Sequence, residues 1–176
     1  MAIPDVSEKS IADLISLRGR VAVVTGGGRG TGLGIVRRLA EAGAAVVIGE
    51  GDEEASRQAA QTVRHAGAEV FGMKLDVDDE LSVTGFAERV VSELGTIDLW
   101  VNNAGIYPGA PVLDMTGTQW DQVVDFNLKG AFLGGREAAR RMISAGHGGV
   151  IVNIASTASF RATGSGSAHY VSSKFG

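Results

Sequence analysis

Short apolar runs recur along this chain, and stretches of helical spacing separate them. Val21–Thr25, 45–48, 70–75, Leu99–Asn102 and 150–154 are each four to six residues long and apolar without alternation. Such runs predict strands covered on both faces, as in a parallel sheet. Between them, Ile35, Val36, Leu39 and Ala40 repeat at helical spacing, and Gly43 marks a stop. Residues 53–65, ending at His65, read as a second helix. Residues 79–94 read as a third, with Phe86, Val90, Val91 and Leu94 facing the core and Gly95 closing it. A long helix is predicted over 118–143, and another opens near Ser167 after a loop rich in Gly and Ser. Ahead of the first strand, Ile11, Leu14, Ile15 and Leu17 predict a short helix packed beside it.

Strands alternating with helices imply right-handed parallel crossovers, hence an α/β chain with a doubly wound parallel sheet in a three-layer αβα arrangement. Residues 1–18 are read as an N-terminal extension and 19–176 as one domain.

Composition narrows the function. Of 176 residues, 44% are apolar and 20% charged, with a net charge of -4 and both signs interspersed. No basic stripe invites nucleic acid or an anionic membrane surface. The absence of cysteine removes disulfides and thiolate metal sites and fits a reducing, cytoplasmic setting. The histidines, His65, His147 and His169, are too scattered to suggest a metal cluster, and neither a signal peptide nor a membrane span is expected.

The chemistry lies at strand ends. Directly after the first strand comes Gly26-Gly27-Gly28-Arg29-Gly30-Thr31-Gly32, a G-x-x-x-G-x-G spacing that opens a helix. Glycines let backbone approach a pyrophosphate, and a helix N-terminus offers free N–H groups and a positive dipole end. No Gly-Lys-Ser/Thr follows, so a P-loop is excluded. Glu50, at the end of the second strand, suits an adenosine ribose diol and repels a 2′-phosphate, whereas Arg29 would attract one; NAD is expected over NADP. Asp76 and Val77 stand where an adenine contact belongs, with helix capping by Asp76 or Asp78 the competing role. Asn102-Asn103-Ala104-Gly105 either ties strands together, touches the cofactor, or does both. Tyr170 and Lys174 are one helical turn apart, and an ammonium there favours the phenolate, which suits proton exchange with an alcohol or ketone oxygen. His169 is read as a pocket-rim or surface residue, because adjacent helix positions point in different directions.

Taken together, Thr25-Gly26-x-x-x-Gly30-x-Gly32, Asp76-Val77, Asn102-Asn103-Ala104-Gly105, Asn127-Leu128-Lys129-Gly130, Ser156 after Val152-Asn153-Ile154-Ala155, and Tyr170-x-x-x-Lys174 resemble the short-chain dehydrogenase/reductase family. The resemblance implies an NAD(P)-binding Rossmann domain over 19–176 and NAD(P)-dependent interconversion of a small secondary alcohol and its ketone. Tyr170 would be the general acid/base. Lys174 would assist it and hold the nicotinamide ribose. Ser156, preferred over Thr157 and Ser159 because it directly follows the Asn-Ile-Ala segment, would bond the substrate oxygen. Asn127 would distort the long helix and place a water in a proton relay. The cofactor contacts would come from Gly26, Arg29, Gly30, Thr31, Gly32, Glu50, Asp76, Val77, Asn103, Ala104, Gly105, Tyr170 and Lys174.

Family members continue well past the Tyr-Lys helix, so the fold is expected to be truncated after its fifth strand, with a homodimer or homotetramer expected of the full-length form. A non-catalytic NAD-binding fragment of a longer dehydrogenase is the alternative. Ile106, Tyr107, Pro108, Phe160 and Arg161 are expected to supply a partly apolar pocket wall.

Overall fold

The computed structural model describes residues 5–64, 68–161, 164 and 166–176. Five parallel strands, β1 (Val21–Thr25), β2 (Ala45–Glu50), β3 (Val70–Lys74), β4 (Leu99–Asn102) and β5 (Val150–Asn153), form one sheet in the order β3-β2-β1-β4-β5. The order reverses at β1, and the crevice beyond the carboxyl ends of β1 and β4 is the usual ligand position in such a sheet.

Helices cover both faces. α1 (Ile11–Leu14) precedes the sheet; α2 (Gly30–Glu41) and α3 (Glu53–Arg64) follow β1 and β2, and α4 (Glu80–Leu94) follows β3. On one face Ala22, Val24, Val46, Ile48 and Val70 meet Val36, Ala40, Ala59 and Val63 of α2 and α3. On the other Val23, Val47, Met73 and Trp100 meet Phe86 and Val90 of α4, with Phe86 and Trp100 in an edge-to-face pair at 5.9 Å. This two-sided cover explains why the strand residues are apolar without alternation.

Two expectations change, and part of a third falls outside the described residues. The apolar face of the N-terminal helix does not pack: Ile11, Leu14 and Ile15 are exposed, and only Leu17 reaches the core. α3 is described to Arg64, so His65 lies outside the described residues. The long helix over 118–143 is three pieces, α5 (Gly117–Val124), a π-turn (Asp125–Lys129) and α6 (Gly130–Ala145). A capping box of Thr116 and Gln119 starts α5, and Gly146 at φ 76° ends α6. After β5, a short 3₁₀ turn (Thr157–Ser159) leads on towards α7 (Ala168–Phe175). β5 is an edge strand among the described residues, and Val150, Ile151 and Val152 on it are exposed. No helix of the described residues is long and apolar enough to cross a membrane.

Candidate functional site

The glycine segment closes β1 onto α2. Gly26 turns at φ 64°, in the left-handed region, and a Cβ there would stand 2.9 Å from Ala104 Cα. Gly32, buried in the first turn of α2, would place a Cβ 2.1 Å from Gly26 O and 2.6 Å from Asn103 Nδ2. At Gly26 and Gly32 the loop therefore leaves no room for a side chain. Arg29 sits at the N-cap of α2 and makes no side-chain cap bond, and it is exposed together with Gly30 and Thr31. The first-turn amides of α2 consequently face the crevice without a capping side chain, as an anion site requires.

Glu50 reaches back over this loop, where its Oε1 accepts from Gly28 N at 2.8 Å. The bond fixes the carboxylate beside the glycines. Asp76 pairs with Lys74 at 3.2 Å, and its amide donates to Ser82 Oγ at 2.9 Å. The cap of α4 is Asp79, which accepts from Leu81 N at 3.0 Å, so neither Asp76 nor Asp78 takes that role. Val77 is buried, with its side chain against Gly130.

Two asparagines after β4 act as strand tethers. Asn102 Nδ2 donates to Asn153 Oδ1 at 2.8 Å and to Ala131 O at 3.1 Å, while Oδ1 accepts from Trp100 Nε1 at 2.7 Å. Asn103 Nδ2 donates to Thr25 O and Gly26 O, both at 2.9 Å. Thr25 Oγ1 accepts from Asn103 N at 3.1 Å and from Ala104 N at 3.0 Å, which locks the β4 loop to the β1 loop across the crevice.

Asn127, in the π-turn, is buried and pairs with the backbone of Ile106 like a strand partner: Oδ1 accepts from Ile106 N and Nδ2 donates to Ile106 O, each at 2.8 Å. Nδ2 also donates to Ser173 Oγ at 3.1 Å, and Ser173 Oγ donates to Tyr170 O at 2.8 Å. A chain of bonds thus runs from the loop after β4, through the π-turn, to α7. Ser173 was not singled out from the sequence, where a small polar residue inside Tyr-x-x-x-Lys reads as surface; its i, i+4 spacing from His169 was the available signal. Ser173→Ala removes one acceptor and one donor from this buried chain. A loss of about 1–3 kcal/mol is expected, visible as a lowered urea midpoint, and an unchanged midpoint would show that the chain carries no stability.

On α7, Lys174 Nζ lies 6.0 Å from the Tyr170 ring centroid and donates to Ile154 O at 2.9 Å. Half-burial pushes the Lys174 ammonium below the ordinary lysine range, since desolvation penalises its charge. A Cβ at Gly105 would stand 3.6 Å from Asn127 Oδ1 and 3.9 Å from Lys174 Nζ, so these three positions are neighbours. Ser156 caps the 3₁₀ turn, its Oγ accepting from Ala158 N at 3.1 Å, which leaves its hydroxyl proton available to donate. That turn packs against α7. Tyr107 meets Tyr170 edge-on with centroids 6.2 Å apart, and with Pro108, Gly109, Gly166 and Ser167 the two rings line a cavity of about 340 Å³. Ile106 lies behind this wall, held to Asn127, whereas Phe160 and Arg161 are exposed. His169 is not a rim residue: it is fully buried, on the face of α7 that also carries Ser173.

A family model described as short chain dehydrogenase matches residues 20–176. The chain belongs to the short-chain dehydrogenase family. Within this family it is 44% identical over 78% of its length to cis-4-hydroxycyclohexanecarboxylate dehydrogenase of Sinomonas cyclohexanicum, covering 55% of that protein. It is 38% identical over 90% of its length to 3beta-hydroxysteroid dehydrogenase 2 of Eggerthella lenta, covering 61% of it. The crystal structure of a gluconate 5-dehydrogenase from Burkholderia cenocepacia, in complex with NADP and tartrate, superposes with a TM-score of 0.88 at 37% identity, covering 94% of this chain and 64% of that one. The chain thus spans somewhat under two thirds of each of these short-chain dehydrogenases.

Proposed function

We propose that the protein oxidises a small secondary alcohol to its ketone, or runs the reverse, with NAD(P), and that residues 19–176 carry the dinucleotide site while 1–18 form an N-terminal extension. The observation that carries this reading is the set of groups beyond the strands' carboxyl ends: a glycine turn closed to side chains at Gly26 and Gly32, the Glu50 carboxylate held on Gly28 N, and the Tyr170–Lys174 pair, with Lys174 beside Gly105.

The residues present fit a dinucleotide. Gly26, Gly30 and Gly32 leave backbone where a pyrophosphate would lie, with Arg29 and Thr31 beside it. Glu50 would accept from the ribose hydroxyls. Asp76 and the backbone of Val77 would border the adenine, and Asn103, Ala104 and Gly105 the next stretch of the cofactor. Lys174 would also hold the nicotinamide ribose. When bound, the nicotinamide supplies the hydride acceptor or donor.

In the oxidative direction the alcohol carbon gives up a hydride and the alcohol oxygen a proton, leaving the ketone. Tyr170 as phenolate takes that proton, and in reduction it returns it. The Lys174 ammonium stabilises the phenolate through space. Ser156, its lone pair already engaged by Ala158 N, donates to the substrate oxygen as charge develops there. Asn127 holds Ile106 in place and would position a water linking Lys174 to solvent.

The cavity beside Tyr170 has glycine backbone on one side and flat rings on the other, which suits a compact ring alcohol. The names of the two relatives above, a hydroxycyclohexanecarboxylate and a hydroxysteroid dehydrogenase, support that class. NAD is the proposed cofactor because the Glu50 carboxylate, held on Gly28 N, would repel a 2′-phosphate; the related gluconate 5-dehydrogenase is in complex with NADP.

Calorimetric titration with NAD and NADP, beside circular dichroism, tests the reading. Saturable binding with NAD tighter is expected, and a folded protein that binds neither would end it. Glu50→Ala is expected to weaken NAD by roughly tenfold, the effect of losing one or two bonds to a charged acceptor, while NADP gains. An unaltered ratio would remove Glu50 from the ribose site.

A further inference from the structure

We propose that His169 is a positioning residue for Tyr170: its ring caps the Tyr170 amide from inside the protein and fixes where the phenol stands. The proposal rests on Tyr170 being the general acid/base.

α7 starts without an ordinary cap. Ser167 holds the N-cap position, but its side chain makes no cap bond and its Oγ donates to Gly164 O at 3.2 Å instead. The first intrahelical bond is Val171 N to Ser167 O at 2.8 Å, so the amides of Ala168, His169 and Tyr170 have no partner within the helix. His169 Nδ1 accepts from Tyr170 N at 2.9 Å. An imidazole in this position does what a Ser or Asp side chain does at an ordinary helix start, and it does so at the residue whose side chain carries the chemistry.

The bond also sets the ring's tautomer. A backbone N–H can only donate, so Nδ1 carries no proton and the ring is neutral with its proton on Nε2. His169 Nε2 is buried and has no partner among the described residues. The ring is fully buried, one turn before Ser173, whose Oγ accepts from Asn127. His169, by burial, and Ser173, by its bond with Asn127, hold one face of α7 at two levels, where the helix packs on α5 and the π-turn. Tyr170 and Lys174 occupy the next face round. A helix held at two levels cannot turn about its axis, and a turn of a few tens of degrees would carry the phenol away from the substrate oxygen.

Two substitutions separate the cap from mere filling of space. His169→Phe keeps the ring volume and removes the acceptor; His169→Asn restores an acceptor at the Nδ1 place. With NAD and cyclopentanol as the probe pair, His169→Phe is expected to lower kcat about tenfold with KM and NAD affinity within about twofold, and His169→Asn to recover most of that loss. Hydrogen exchange at the Tyr170 amide is expected to quicken in the Phe variant and to stay slow in the Asn variant, and nitrogen NMR of the parent protein to show an unprotonated Nδ1. The proposal falls if the Phe variant keeps its kcat and its slow Tyr170 exchange, or if Asn and Phe lose equally. The exchange and NMR arms need no substrate, so they decide the cap independently of turnover. Tyr170→Phe is the companion control: turnover surviving there would overturn the acid/base reading itself, whereas turnover lost there but kept in His169→Phe overturns only the cap.

Discussion

Tyr170→Phe is expected to lower turnover by about 10²- to 10⁴-fold, the contribution usual for a positioned acid/base group, while NAD titrates as in the parent protein. The contrast follows from what the hydroxyl does not do. Helix α7 is held by other atoms of the same residue and its neighbours: the Tyr170 amide on His169 Nδ1 and the Tyr170 carbonyl under Ser173 Oγ. The ring itself rests against Tyr107. A phenylalanine keeps all of these contacts, so neither the helix nor the glycine loop has a reason to shift. Steady-state rates and calorimetry on the same preparation make the test. Unchanged turnover would remove Tyr170 from the chemistry. A parallel collapse of cofactor affinity would mean that the phenol is chiefly a binding group.

Gly32→Ala is the second large effect. One methyl would have to occupy a space 2.1 Å from Gly26 O and 2.6 Å from Asn103 Nδ2. Neither neighbour is free to yield. Gly26 N donates to Gly49 O at 2.8 Å, and Gly26 O accepts from the same Asn103 amide that holds Thr25 O. Relief requires breaking the lock between the β1 and β4 loops or lifting the first turn of α2. A destabilisation of about 3 kcal/mol, at the upper end for overpacking, is expected together with a loss of NAD affinity of about 100-fold. Urea titration and calorimetry read the two effects separately. A variant that unfolds and binds as the parent does would show that the loop has slack which the contacts do not reveal.

Much of the fold was legible because its inner strands are buried on both faces; β5, read from the same kind of apolar run, is exposed instead. The runs at Val21–Thr25 and Leu99–Asn102 could hardly be anything else once helical spacing flanked them, and the glycines after β1 marked the crevice. What escaped reading depended on distant partners. A break of the long helix at Asn127 was expected from the family resemblance; its form, a π-turn over 125–129 with Asn127 pairing with the backbone of Ile106, was not. His169 was misplaced for a related reason. That it points away from Tyr170 was correct, but the direction away from the site is occupied by α5 and the π-turn, so the residue next to the phenol lies in the interior rather than at the rim. The exposed apolar face of α1 is the opposite case, a helical spacing that meets no surface among the described residues.

The π-turn also sets a phase. A turn closed by i→i+5 bonds holds about one residue more than an α-turn, so everything after it is rotated by about 100° relative to an unbroken helix. The segments on either side therefore present different stripes: Val123 is buried before the break, and Leu133, Ala138 and Met142 after it. Deleting a single residue between 125 and 129 would let one regular helix form. It would also turn one of those stripes out of the core and swing Asn127 away from Ile106. The asparagine thus sets the angular offset between two halves of a helix, and the sheet face and the crevice can both be satisfied only while that offset is kept.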